Sequence, residues 1–159
     1  MSAVRMIHWL YLVSVLLFVT GVGLVVTGAS ASRRSSSLVT PIASMKEIMN
    51  GMVTPASDAV FAAVSTTVTK QGTEEKAPKD DAEWQALANK AAMLVEAGNL
   101  MLVDGRLKDK GDWVKLTQVY IDASRVALDA ARAHKPDAIY ASGEAIDKSC
   151  DACHEKYEK

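Results

Sequence analysis

The sequence predicts an all-α protein: an antiparallel four-helix bundle preceded by an N-terminal transmembrane helix. Three observations lead there. Hydrophobic residues make up 49% of the 159 residues but aromatics only 6%, so the core must be built mainly from Ala, Val, Leu and Met, the residues of close-packed helices. β-branched and aromatic residues are not grouped in alternating runs, which argues against a large sheet. Four segments after residue 40 repeat apolar residues at three- and four-residue spacing, with short breaks between them, the pattern of bundle helices.

Residues 1–31 form the predicted anchor. Arg5 is the only charged side chain before Arg33, and the stretch from Met6 to Thr27 is predominantly apolar. A helix needs about 20 such residues to cross the hydrocarbon core. Trp9 and Tyr11 lie near one end, where amphipathic rings favour the headgroup region. The other reading is a cleaved export signal, with Arg5 as its basic region and Ala29-Ser30-Ala31 as a small-residue cleavage site. A signal's apolar region runs to about 7–15 residues, so the length favours an uncleaved anchor. Either reading carries the rest of the chain across a membrane. Arg33 and Arg34 follow the segment and Arg5 precedes it, so the basic residues do not settle its orientation. Residues 32–39, rich in Ser and Arg, read as a flexible tether.

Residues 40–159 hold the four helical patterns. The first opens at Thr40-Pro41, an N-cap followed by a first-turn proline, and runs through Ile42, Met45, Met49, Met52, Ala56, Ala59 and Ala63. Pro55 interrupts it, and its ring opposes the Gly51 carbonyl, which predicts a kink. Gln71–Lys79 is the long break and should be exposed. The second pattern starts at Asp80 with Glu83 three residues on, a variant of the capping box. Its stripe is Trp84, Leu87, Ala91, Leu94, Gly98 and Met101, and Gly105 can end it. The third follows Gly111-Asp112 with Trp113, Leu116, Tyr120, Ala123, Ala127 and Ala130. The fourth starts at Pro136 and runs through Ile139, Gly143, Ile146, Cys150 and Cys153.

Charge excludes one class of function. Lys and Arg number 18 against 19 Asp and Glu; without Arg5, the chain beyond the apolar segment carries net −2. Nucleic-acid binding draws on clustered cations, so no nucleic-acid partner is expected. Paired catalytic carboxylates, a nucleophile–base arrangement and a nucleotide loop are not apparent, so the chain does not read as an enzyme.

The two cysteines carry the strongest signal. Cys150-Asp151-Ala152-Cys153-His154 is a C-x-x-C-H motif, which in an exported protein reads as covalent c-type haem attachment. Two thiols about one helical turn apart can add to the two vinyl groups at a haem edge, and the adjoining imidazole reaches the iron. Other readings are a disulfide, a redox pair and part of a zinc site. A redox pair would sit in a βαβ unit, for which there is no pattern. A zinc site needs further ligands, and neither His8 nor His134 has the paired spacing.

With the motif near the C-terminus, on the last helix of a four-helix pattern, and Tyr157 three residues after His154, the chain resembles the class II cytochromes c, the group of cytochrome c prime and its low-spin relatives. The resemblance covers residues 40–159 by architecture, and the N-terminal anchor departs from the simplest soluble members. It implies one covalent haem c on Cys150 and Cys153, with His154 as the proximal iron ligand. It also implies that the first helix faces the opposite side of the iron. Met49 is the expected ligand there, with Met52 and Met45 behind it, although Met at helical spacing often only fills a core. Met93 and Met101 read as packing, as do Trp84, Trp113, Tyr120 and Phe61, any of which could line a haem. Arg125 and Arg132 could reach haem propionates, but exposed helical arginines usually face water.

The expected function is an electron carrier. A monohaem c-type cytochrome, held by a single-pass anchor in a bacterial inner membrane with its haem domain in the periplasm, would exchange electrons with redox proteins or a respiratory or photosynthetic complex. The alternative is a five-coordinate haem protein of the cytochrome c prime type that binds nitric oxide or carbon monoxide. A third reading is a haem-free helical subunit with a disulfide. Bundles of this kind can pair as homodimers through their first two helices, but no stripe is apolar enough to require it.

Overall fold

The computed structural model describes residues 7–17 and 40–158. The chain divides into two units, residues 1–38 and 39–159. In the first, helix α1 includes residues 7–17. No helix among the described residues is long and apolar enough to cross a membrane. The rest of the expected anchor, 18–31, and the tether, 32–39, lie outside the described residues.

The second unit is mostly helical, with one small hairpin. Its first arm begins later than the sequence suggests. Helix α2 spans Met45–Ile48, and its N-cap is Ser44 rather than Thr40. Ser44 Oγ accepts the Glu47 amide at 3.2 Å while the Glu47 carboxylate accepts the Ser44 amide at 2.8 Å. This reciprocal box satisfies two donors, against one for a Thr40 cap. Upstream, the Arg106 guanidinium donates to the Ala43 carbonyl through Nε and Nη2 at 3.2 and 3.0 Å. Ile42, expected on the apolar stripe, is therefore outside the helix and 90% exposed.

The proline interruption takes the form of a change in helix type. Met49–Val53 is π-helical, and α3 continues over Thr54–Phe61. The Thr54 amide donates to Met49 O, five residues back. Pro55 has no N–H to offer, and the π segment ends two residues before it.

Residues 65–76, read from sequence partly as loop and not as strand, form an exposed antiparallel hairpin. Strand β1 (Ser65–Thr69) pairs with β2 (Gly72–Lys76), Ser65 opposite Lys76 and Thr69 opposite Gly72. The run Ser65-Thr66-Thr67-Val68-Thr69 is rich in β-branched residues, which was its signal. Lys76 Nζ donates to the Ala62 carbonyl at 2.6 Å and ties the hairpin to the end of α3.

Three long helices complete the unit: α4 (Asp81–Met101), α5 (Asp112–Arg132) and α6 (Pro136–Tyr157). Asp80 caps α4 by accepting the Glu83 amide at 2.9 Å, and the whole predicted α4 stripe is buried. Contacts between opposite ends give the directions. Trp84, at the start of α4, stacks on His134, just past the end of α5, with ring centroids 5.0 Å apart. Lys156, near the end of α6, pairs with Asp112 at the start of α5. On α5, Trp113, Tyr120, Ala127 and Ala130 of the expected stripe are buried and Leu116 and Ala123 are half-buried; the buried face is wider than that stripe and also takes in Thr117, Ile121, Ser124, Leu128 and Ala131. Gly98 marks the closest approach of α4 and α5, because a Cβ there would lie 2.4 Å from Ile121 Cγ1.

Candidate functional site

The apolar face of α6 begins with Ile139, Ser142, Gly143 and Ile146, all buried, and opens toward its C-terminal end, where Cys150 and Cys153 are half-buried. The side chain of His154, the next residue, is 48% exposed. Residues from every arm of the bundle meet here. Cys150, Cys153 and His154 line a cavity of about 40 Å³ with Met49 and Val53 of the π segment, Met101 of α4, and Leu116, Thr117 and Tyr120 of α5.

The end of α6 is held firmly. Tyr157 OH donates to Asp109, and Lys156 pairs with Asp112. Asp109 also accepts the Gly111 amide at 2.7 Å and the Trp113 amide at 3.1 Å, so it caps α5 from the preceding loop. The Tyr157 hydroxyl, followed by the Trp113 amide, holds the Asp109 carboxyl below its ordinary range. Burial, helped by Asp109, pushes the Tyr157 hydroxyl up to about 12. The Trp113 ring meets the Tyr157 ring edge-on at 5.0 Å, and its Nε1 donates to the Met101 carbonyl at 3.1 Å. The loop 102–111 thereby sets the position of the motif on α6.

The chemistry of the two thiols is specific. Both cysteines are free. Burial pushes the Cys150 thiol above its ordinary value, and the carboxylates of Asp147 and Asp151 add to the shift. Burial also raises the Cys153 thiol. Redox-active cysteine pairs have the opposite property, a lowered value that favours the thiolate. Among the described residues, no group of three or more His, Cys, Asp and Glu side chains is placed to hold a metal ion. His134, weighed as a second metal ligand, stacks on Trp84 instead, with Nδ1 3.9 Å from Asp81 Oδ1.

The donor set fits a covalently held haem in four respects. The thiols lie one turn apart on one helix face, the imidazole follows directly, and a thioether sulfur lines the same cavity. In addition, the buried hydroxyls of Thr117, Tyr120 and Ser124 have no hydrogen-bond partner among the described residues. Burial pushes the Tyr120 hydroxyl well above its ordinary value. Unpaired buried hydroxyls of this kind are usually met by a ligand or water. The cavity has room for a few water molecules and not for a macrocycle, so haem occupancy requires its walls to part. Met49 and Met101 are the pliable members of that wall.

Among the sequence candidates, Met49 lines the cavity, whereas Met45 and Met52 are half-buried against the core elsewhere. Met101, read as packing, is part of the wall. Trp84, Trp113 and Tyr120 are buried, and Phe61 is 41% exposed. Arg125 and Arg132 face solvent, and Arg132 lies 3.9 Å from Asp129. Sequence reasoning missed Val53, Thr117 and Ser149. Thr117 was detectable only as a polar member of a 117-121-124-128 spacing. Comparison with protein-family models, curated proteins and solved structures finds no match to this chain.

Proposed function

We propose that this chain is a membrane-anchored monohaem c-type cytochrome that passes single electrons between redox partners at the periplasmic face of a bacterial inner membrane. The observation that carries the reading is the shared cavity wall: Cys150, Cys153, His154 and Met49 meet at one point although Met49 lies about a hundred residues from the motif. In this reading residues 40–159 form an antiparallel four-helix bundle of the class II cytochrome c type, and residues 1–31 form the anchor. Every described side chain of α1 is exposed. Such an apolar surface calls for a cover, which a membrane would provide.

The residues divide the work. Cys150 and Cys153 would hold the haem, each by adding its S–H across a vinyl double bond to give a thioether with no net oxidation. His154 would offer a ring nitrogen to the iron, and Met49, which lines the same cavity, would offer its thioether sulfur. Haem, when bound, supplies a one-electron iron couple, and His/Met ligation raises its potential. The contacts of Tyr157 with Asp109 and of Lys156 with Asp112 would hold the end of α6, and with it His154, in place. The anchor raises the local concentration near membrane partners. The chain acts as a carrier and transforms no substrate.

The test is the visible spectrum of the full chain, purified from membranes of a host that matures c-type haem. A low-spin reduced spectrum unchanged by carbon monoxide is the expected result. A high-spin spectrum that shifts with carbon monoxide would replace the carrier with the gas-binding alternative. A chain without haem would overturn both.

A further inference from the structure

The hairpin of β1 and β2 contributes no residue to the cavity at Cys150. Every residue of both strands is exposed, and two strands alone are marginally stable in water. Lys70 and Gln71 form a two-residue loop closed by the facing pair Thr69 and Gly72. In such a hairpin the closing pair exchanges its backbone bonds, and so does the pair two residues on, Thr67 and Glu74. The alternate pairs, Thr66 with Glu75 and Val68 with Thr73, turn their amides and carbonyls outward. Among the described residues, the polar contacts of β1 beyond this ladder are those of Thr69 with its own turn.

The two outer edges differ in character. Strand β2 carries Glu74, Glu75 and Lys76, charges of the kind that guard an edge against pairing. Strand β1 reads Ser65-Thr66-Thr67-Val68-Thr69, with no charge and no proline. It is also complementary to itself. Antiparallel pairing with a second copy about Thr67 sets Thr66 opposite Val68 on both sides of the centre. Ser65 then faces Thr69, and Thr67 faces its own copy. The outward amides and carbonyls of Thr66 and Val68 all find partners in this register, and no like charges meet. No charge on β1 selects a foreign strand. We propose that β1 is a self-association edge, along which two copies of this chain pair antiparallel about Thr67 and join their hairpins into one continuous sheet. The contact is separate from the helix faces and does not depend on haem.

The experiment measures self-association of the full chain in detergent by sedimentation over a concentration series. It compares the parent with Val68→Pro and Thr73→Pro. These residues form one cross-strand pair, and their amides point outward, so neither proline removes a bond of the hairpin itself. Val68→Pro blocks the outer edge of β1, and Thr73→Pro blocks that of β2. The parent should be a dimer. Val68→Pro should raise its dissociation constant about tenfold or more, since each copy loses a backbone donor at the contact. Thr73→Pro should leave the dimer as in the parent. Val68→Lys, which guards the same edge and keeps the backbone, should weaken it in the same direction. Far-UV spectra and melts should match the parent throughout. A parent that stays monomeric, a dimer indifferent to both changes at Val68, or a loss that Thr73→Pro shares equally overturns the proposal.

Discussion

Gly98 gives the most direct test of how α4 and α5 pack. Replacing it with Ala places a Cβ 2.4 Å from Ile121 Cγ1 and 3.2 Å from both Ile121 Cδ1 and Tyr120 Cδ1. Carbon atoms rest at about 3.5–4.0 Å, so the nearest pair must separate by more than about 1 Å. Ile121 is 2% exposed, and Cγ1 is close to its backbone rather than at a flexible tip. Overpacking of this kind costs about 1–3 kcal/mol, and the geometry places it at the upper end. The better helix propensity of Ala returns about 1 kcal/mol. The net loss is about 1–2 kcal/mol, or about 4–8 °C in Tm for a domain of this size. Gly143→Ala is the control. Its nearest neighbour would be Phe61 Cδ1 at 3.5 Å, an ordinary contact with a partly exposed ring. That variant should gain about 0.5–1 kcal/mol. Thermal melts followed by far-UV circular dichroism, at matched haem content, read both. A Gly98→Ala chain that melts at or above the parent would refute the close helix approach.

Other consequences concern the caps and the site. Ser44→Ala should cost about 1 kcal/mol by removing the box on Glu47, and an unchanged melt would place the helix start elsewhere. Asp109 is held below the ordinary carboxylate range chiefly by Tyr157 and next by the Trp113 amide. A depressed carboxylate stabilises the fold above its unfolded value, and that stability is lost as pH falls through its folded value. Below about pH 4 the parent should therefore lose stability more steeply than Asp109→Asn, and parallel acid-denaturation curves would contradict this. Met49→Ala should turn a low-spin haem spectrum high-spin and open it to carbon monoxide, whereas Met52→Ala should not; an intact low-spin spectrum in Met49→Ala rejects that ligand.

The helical patterns were legible where apolar side chains alone defined a face, as along Trp84, Leu87, Ala91, Leu94 and Met101. They were incomplete where polar residues were buried. Along α5, Trp113, Tyr120, Ala127 and Ala130 of the expected stripe are buried, but Thr117 and Ser124 extend the inner face beyond it and leave Leu116 and Ala123 at its half-buried edge. The first arm starts later than the Thr40 cap suggests, because the Ser44–Glu47 box satisfies two donors and Arg106 holds the Ala43 carbonyl outside the helix. The hairpin was missed although its β-branched run is plain, because an exposed two-stranded unit has no buried face to announce it. The motif at Cys150, Cys153 and His154 was visible as adjacent residues. The company it keeps was not, because Val53, Met101 and Thr117 reach it only through tertiary packing.

The central claim is that Cys150 and Cys153 carry haem by covalent bonds. It is tested most directly by the intact mass of the denatured full chain from a host that matures c-type haem, beside a Cys150→Ala, Cys153→Ala double variant. The account predicts one haem adduct on the parent and none on the variant. A parent at its bare polypeptide mass, or an adduct that survives loss of both cysteines, would contradict it.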